Sequence, residues 1–141
     1  MIELSNWGAW HSIENIHNDI DVLHKQGLYQ IRMVSPYNKP LRIPRLVGVD
    51  DGGIIYIGTS VELRTRIGNF YSGKHSGGGM YNLVRLKLGR HRPYKSYLLQ
   101  YRYMKISDEK AMEDTEKNIL RRYFREYCEL PPFNSTVPGG K

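Results

Sequence analysis

Two tyrosines set in sheet-forming stretches, with an arginine at a fixed distance after the second, constrain this chain more than any other feature. Residues 27–34 open with Gly27, Leu28 and Tyr29 and continue through Ile31, Met33 and Val34. Residues 54–57 are Ile54, Ile55, Tyr56 and Ile57, closed by Gly58. Apolar and β-branched side chains at this density suit strands, and Tyr29, Ile31 and Met33 fall at the period-two spacing of one strand face. The second stretch runs into Thr59 and Glu62, whose separation is that of a capping box opening a helix. Leu63, Ile67 and Phe70 then mark that helix's buried face, and Arg66 flanks the stripe where it reaches back toward the sheet. Two phenols and a guanidinium can therefore converge on one phosphate.

The remaining pattern is that of one domain. A chain of 141 residues buries about two-thirds of its unfolded surface without disulfides or a structural metal. Before the first strand, Trp7 and Trp10 precede Ile13, Ile16, Ile20 and Leu23 at helical spacing after Ser12. Residues 1–26 are therefore expected to form a helical arm, packed over the sheet or on a partner subunit. Residues 35–53 carry turn chemistry at both ends and a short edge strand near Leu46–Val49. A Gly-rich loop over 72–79, a short helix over 80–88 ended by Gly89, a third strand near 97–106 and a long helix from about Asp108 to Tyr127 follow. Gly77–Gly79 lacks the preceding strand and the following Lys-Ser/Thr of a phosphate loop. The expected fold is α/β (α+β): a small, mainly antiparallel sheet of three to four strands flanked by helices. Residues 27–134 form its body and 135–141 a tail.

Charge points to the partner. The formal net charge is +7, and an excess of Lys and Arg attracts polyanions, nucleic acid first among them. Positive residues gather at Arg85, Lys87, Arg90, Arg92, Lys95 and Arg102, interleaved with Tyr94, Tyr97, Tyr101 and Tyr103, a composition suited to a groove that tracks a phosphate backbone. Lys39, Arg42 and Arg45 add to it from the insert. The single Cys128 excludes an internal disulfide and every multi-cysteine zinc pattern, which suits a reducing compartment, by default the cytoplasm. No apolar run approaches the length of a membrane span. His11, His17 and His24 lack a familiar metal spacing and are expected to pack or face water.

The last helix separates two acids that composition alone would treat alike. Met112, Ile119, Leu120, Tyr123, Phe124 and Tyr127 form its apolar stripe, and Glu116 lies inside it, a turn from Met112 and from Leu120. Glu113 instead has Lys110 and Lys117 as its neighbours at three and four residues, the pattern of a solvated face. A carboxylate on a buried face costs free energy unless it is paired or holds a cation, so Glu116 needs a partner, either Arg66 or a divalent metal.

Gly-Leu-Tyr at 27–29, Tyr-Ile-Gly at 56–58, Ser60-x-x-Leu63-x-x-Arg66, Glu116 and Asn134, in that order, resemble the motifs of the GIY-YIG nuclease superfamily. The resemblance spans residues 27–134, and its motif spacing is closest to type II restriction endonucleases of that superfamily. It implies a metal-dependent DNA endonuclease acting in restriction or mobile-element defence. Tyr29 would activate water, Tyr56 would assist at the phosphate, Arg66 would stabilise the developing charge, Glu116 would hold one Mg²⁺ or Mn²⁺, and Asn134 would support the site. A phenol can serve as base only if positive neighbours lower its pKa from about 10. Cutting both strands of a duplex would call for a homodimer or higher assembly. The chain departs from the family in three places. Tyr56 follows Tyr29 by 27 positions, more than in the simplest members. Thr59 stands where some members carry lysine. Phe70 occupies a place often held by His or Tyr, with Tyr71 and His75 nearby as substitutes for proton transfer or phosphate support. A catalytically inert nucleic-acid-binding module of the same fold, or a structure-specific repair or RNA-processing nuclease, would carry many of the same features.

Overall fold

A computed structural model describes residues 6–72 and 97–134. Along them run β1 (His11–Ser12), a 3-10 helix (Ile13–Asn18), β2 (Gly27–Val34), β3 (Ile43–Pro44), β4 (Val49–Asp50), β5 (Ile54–Ser60), α1 (Leu63–Ser72), β6 (Leu98–Lys105) and α2 (Glu109–Tyr127). The expected Gly-rich loop beyond Ser72, the short helix over 80–88, and the residues His75, Arg85, Lys87, Arg90, Arg92 and Lys95 lie outside the described residues. No helix among the described residues is long and apolar enough to cross a membrane.

Strand β2 sits inside a four-stranded antiparallel sheet of order β1-β6-β2-β5, and β3 and β4 form a separate two-stranded ribbon. The mainly antiparallel sheet expected from the sequence is thus present. Gly27 is a glycine for lack of space, since a β-carbon there would stand 1.9 Å from the Met104 carbonyl oxygen. The register sets Tyr29 opposite Gly58 and Tyr103, and Ile31 opposite Tyr56 and Tyr101.

Strand alternation sends Tyr29, Ile31 and Met33 to one face, with Leu99, Tyr101 and Tyr103 beside them. That face packs on Leu63, Ile67 and Phe70 of α1 and on Ile13, Ile16 and Val22. Leu28 and Met104, on the other face, pack with Ile106 and Met112, joined by Ala111 and Ile119 of α2. Helix α2 begins where expected, with the Asp108 carboxylate accepting the Ala111 N–H at 2.9 Å.

Three local expectations fail, each to a competing contact. The N-terminal segment is not an α-helix: His11 and Ser12 pair with β6, and only one 3-10 helix follows. Asp19 stops it, because its carboxylate accepts the Asp21 N–H and the Tyr101 hydroxyl, a local bond that competes with helical continuation. Ile13 and Ile16 are buried, while Ile20 is 80 % exposed. Thr59 does not cap α1. It stays in β5 opposite Leu28, and Ser60 makes the turn by accepting the Glu62 N–H at 3.0 Å. The edge strand near Leu46–Val49 is instead the ribbon Ile43–Pro44 with Val49–Asp50, turned through Gly48 at φ +76°.

The three histidines occupy structural contacts. His11 lies against Tyr101 and Tyr103, His17 against Tyr71, and His24 binds the Glu62 carboxylate.

Candidate active site

Tyr29 and Tyr56 come together because they stand on one face of neighbouring strands, offset by one ladder step. Their ring centroids are 5.9 Å apart, and their hydroxyls hydrogen-bond to each other. Arg66, the fourth residue of α1, hydrogen-bonds to the Tyr29 hydroxyl and bears electrostatically on both phenols. The converging phenols and guanidinium expected from the motifs are therefore present as one hydrogen-bonded group.

The protonation balance differs from the expectation. Burial pushes the Tyr29 phenol well above its ordinary value of 10, and although Arg66 pulls the other way, the loss of solvent outweighs it. Tyr56 is also raised by burial, with Arg66 opposing and Glu116 adding to the rise. Tyr29 is fully buried, whereas Tyr56 keeps partial exposure. The phenol nearer solvent is thus Tyr56, and Tyr29 stands behind it as the link to Arg66.

Gly58 is what lets the two rings meet. A β-carbon at Gly58 would stand 2.8 Å from the Tyr29 hydroxyl oxygen and 2.9 Å from Tyr56 Cε2. Phe70 closes the site as an apolar wall, its ring centroid 6.1 Å from that of Tyr56, and it is fully buried. The next residue, Tyr71, lies against His17 at 6.2 Å. Helix α1 thus presents Phe70 to the tyrosine pair.

Glu116 comes from α2, half-buried, while Glu113 is exposed, as the stripe required. Burial holds the Glu116 carboxyl above its ordinary range, with Glu113 adding and Lys117 opposing. Among the described residues no hydrogen bond or ion pair reaches this carboxylate. A half-buried oxygen donor, desolvated beside a second acid and opposed only by the charge of Lys117 among the described residues, suits a hard divalent cation. Clusters of three or more His, Cys, Asp or Glu are absent among the described residues, so any such ion would draw further ligands from water and substrate oxygens, the habit of Mg²⁺ at phosphoryl sites.

Asn134 works on the backbone. Its Oδ1 accepts the Ile57 N–H at 3.0 Å and its Nδ2 donates to the Ile57 carbonyl at 2.9 Å. The Phe133 N–H donates to the Ile55 carbonyl at 2.9 Å. Residues 133–134 therefore satisfy the outer edge of β5 on both sides of Tyr56, a role the sequence showed only as a motif position.

The cationic residues divide. Lys39 is exposed, and Arg42 pairs with Asp51 at 2.8 Å in solvent. Arg45 serves the fold instead: its side chain, 13 % exposed, binds Glu129 and the Leu130 carbonyl, both at 2.9 Å, and ties the ribbon to the end of α2. Arg102 does not stand among Tyr101 and Tyr103. Alternation turns those two rings into the core, where their hydroxyls donate to Asp19 and Asp21, and leaves Arg102 on the opposite face with Trp7 and Trp10.

Compared with protein-family models, with curated proteins and with solved structures, the chain matches none.

Proposed function

We propose that this protein is a metal-dependent endonuclease of GIY-YIG type that hydrolyses phosphodiester bonds in DNA. One observation carries the proposal: Tyr29, Tyr56 and Arg66, distant in sequence, form one hydrogen-bonded group with the carboxylate of Glu116 acting on Tyr56. The order of those residues supports the same reading.

The partly exposed Tyr56 meets the scissile phosphate or the attacking water. Tyr29 holds Arg66 and Tyr56 in register, so that the guanidinium faces the charge that develops on phosphate as water adds. Phe70 keeps one wall dry, which strengthens these interactions. Asn134 fixes the strand edge on either side of Tyr56. Glu116 would hold Mg²⁺ or Mn²⁺. The ion would supply positive charge that favours an ionised nucleophile and opposes charge on the transferring phosphate. Both phenols are neutral at pH 7, since burial raises each above 10. Proton transfer through them therefore depends on added positive charge. Restriction or mobile-element defence in the cytoplasm, with two copies acting on a duplex, is the setting the resemblance suggests.

The test is plasmid cleavage in Mg²⁺ against EDTA, followed by single-turnover rates for Tyr56→Phe and Tyr29→Phe. Each variant removes one hydroxyl and is expected to cleave about 10²-fold more slowly, in line with a lost proton-transfer group. Wild-type rates in both variants would remove the tyrosine pair from the chemistry. Protein inert on single-stranded, duplex and branched substrates in both metals would leave a binding module.

A further inference from the structure

Arg32 and Arg102 stand on the sheet face turned away from the tyrosine pair. In the β2–β6 ladder Gln30 lies opposite Arg102 and Arg32 opposite Gln100. Each guanidinium spends its Nε on the glutamine across from it: Arg32 on Gln100 Oε1 at 2.9 Å, Arg102 on Gln30 Oε1 at 2.7 Å. Trp10 lies against both, with its ring centroid 4.2 Å from the Arg32 Cζ and 4.6 Å from the Arg102 Cζ. Trp7 adds a second ring 4.9 Å from Arg102.

The glutamines and the indoles fix these guanidinium groups without neutralising them. Among the described residues neither arginine forms an ion pair. Burial lowers the pKa of both, and Arg32 helps to bring Arg102 down to about 10. Two neighbouring cations, desolvated and mutually repelling, are stabilised by an anion that spans them, and a planar guanidinium matches the paired oxygens of phosphate. Beside them, the Asn38 amide oxygen accepts from Gln100 Nε2 at 2.9 Å and ties down the turn that carries Tyr37, 86 % exposed. An exposed aromatic ring on a turn tied to the glutamine that holds Arg32, on a sheet that carries paired arginines, is the composition of a surface that follows a nucleic-acid strand, in which bases stack while phosphates are bound.

We propose that this face is a second nucleic-acid contact, with Arg32 and Arg102 binding backbone phosphates and Tyr37 stacking a base, so that the chain holds nucleic acid on both sides of its sheet. That the anion is nucleic acid rests on the proposed nuclease reading; the arginine pair, which has no ion-pair partner among the described residues, does not.

Trp7 and Trp10 are the chain's two tryptophans, so intrinsic emission reports this face directly. In EDTA, which keeps metal-dependent cleavage out of the measurement, wild-type protein is titrated with a single-stranded oligonucleotide of about 16 nucleotides, the upper end of common strand-binding sites. The expected result is a saturable change in emission whose affinity falls with salt. Arg32→Gln with Arg102→Gln should weaken binding at least about tenfold and flatten the salt slope by roughly 0.7 per lost phosphate contact. Tyr37→Ala, at an exposed position where folding is unaffected, should weaken it several-fold at an unchanged melting temperature. Absence of binding, binding that leaves emission unchanged, or wild-type affinity in Tyr37→Ala overturns the proposal. A response to poly-glutamate and none to the oligonucleotide also overturns it, and gives the face to an acidic protein. A positive titration with no cleavage in Mg²⁺ would keep this contact and remove the nuclease reading. Cleavage without a titration signal would do the reverse.

Discussion

The Tyr29 hydroxyl oxygen lies 2.8 Å from the point where a β-carbon on Gly58 would stand. The final glycine of Tyr-Ile-Gly is thereby the floor on which the first motif's tyrosine rests, and the two motifs are one packing unit. Gly58→Ala forces the Tyr29 ring to move within a fully buried site, so it should cost about 1–3 kcal/mol, the usual scale of overpacking. Tyr29→Phe removes the closest atom and should recover part of that loss. Chemical denaturation of the two single variants and the double variant measures the coupling, and strict additivity would contradict the contact.

Asn134 closes the other side of the same strand. Asn134→Ala removes two hydrogen bonds to Ile57 and is expected to cost about 1–3 kcal/mol, each bond contributing on the order of 1 kcal/mol. Hydrogen exchange at the Ile57 amide should accelerate more than exchange at Leu28 on the central strand β2. Unchanged protection at Ile57 would show that the clamp does not form in solution.

Burial of the Glu116 carboxylate costs stability. Its folded pKa lies above the ordinary 4.5, so the folded state binds its proton more tightly than the unfolded chain does. The protein therefore loses stability as pH rises through that folded value and carries no such cost well below 4.5. Glu116→Gln should raise the melting temperature at pH 7, by on the order of 1 kcal/mol or less in stability. The gain should vanish in acid. Mg²⁺ should stabilise wild type and leave the Gln variant unmoved. Glu113→Gln, on the exposed face, should leave cleavage unchanged and recover only the smaller part of the melting gain, since Glu113 is the lesser cause of the rise.

The parts of this fold legible in the sequence are those fixed by strong periodicity. Strand β2, strand β6 and helix α2 follow from alternation and from the stripe that sets Glu116 apart from Glu113. What escaped the sequence depended on long-range partners. Ser12 precedes a helix pattern, but pairing of His11 and Ser12 with β6 and the Asp19–Tyr101 bond end that pattern after six residues. Thr59 has cap spacing, yet its ladder contact with Leu28 keeps it in the strand. At the candidate site, motif order gave Tyr29, Tyr56 and Arg66 together. The rise in the phenol pKa values was hidden, because burial is a tertiary quantity that no spacing reports. Arg102 was legible as a cation, but its company was not: strand alternation sends Tyr101 and Tyr103 the other way and leaves it with Trp7 and Trp10.

Arg66 bears most directly on the central claim, because an arginine aimed at transition-state charge acts on rate more than on affinity. The decisive measurement is the single-turnover cleavage rate of a labelled duplex at saturating protein in Mg²⁺, for wild type and Arg66→Ala, with affinity measured in Ca²⁺. Metal-dependent cleavage by wild type, a loss of about 10³-fold or more in the variant, and affinities within a few-fold of each other are the predicted result. Cleavage by Arg66→Ala at the wild-type rate, or a loss fully explained by weaker binding, would contradict the account.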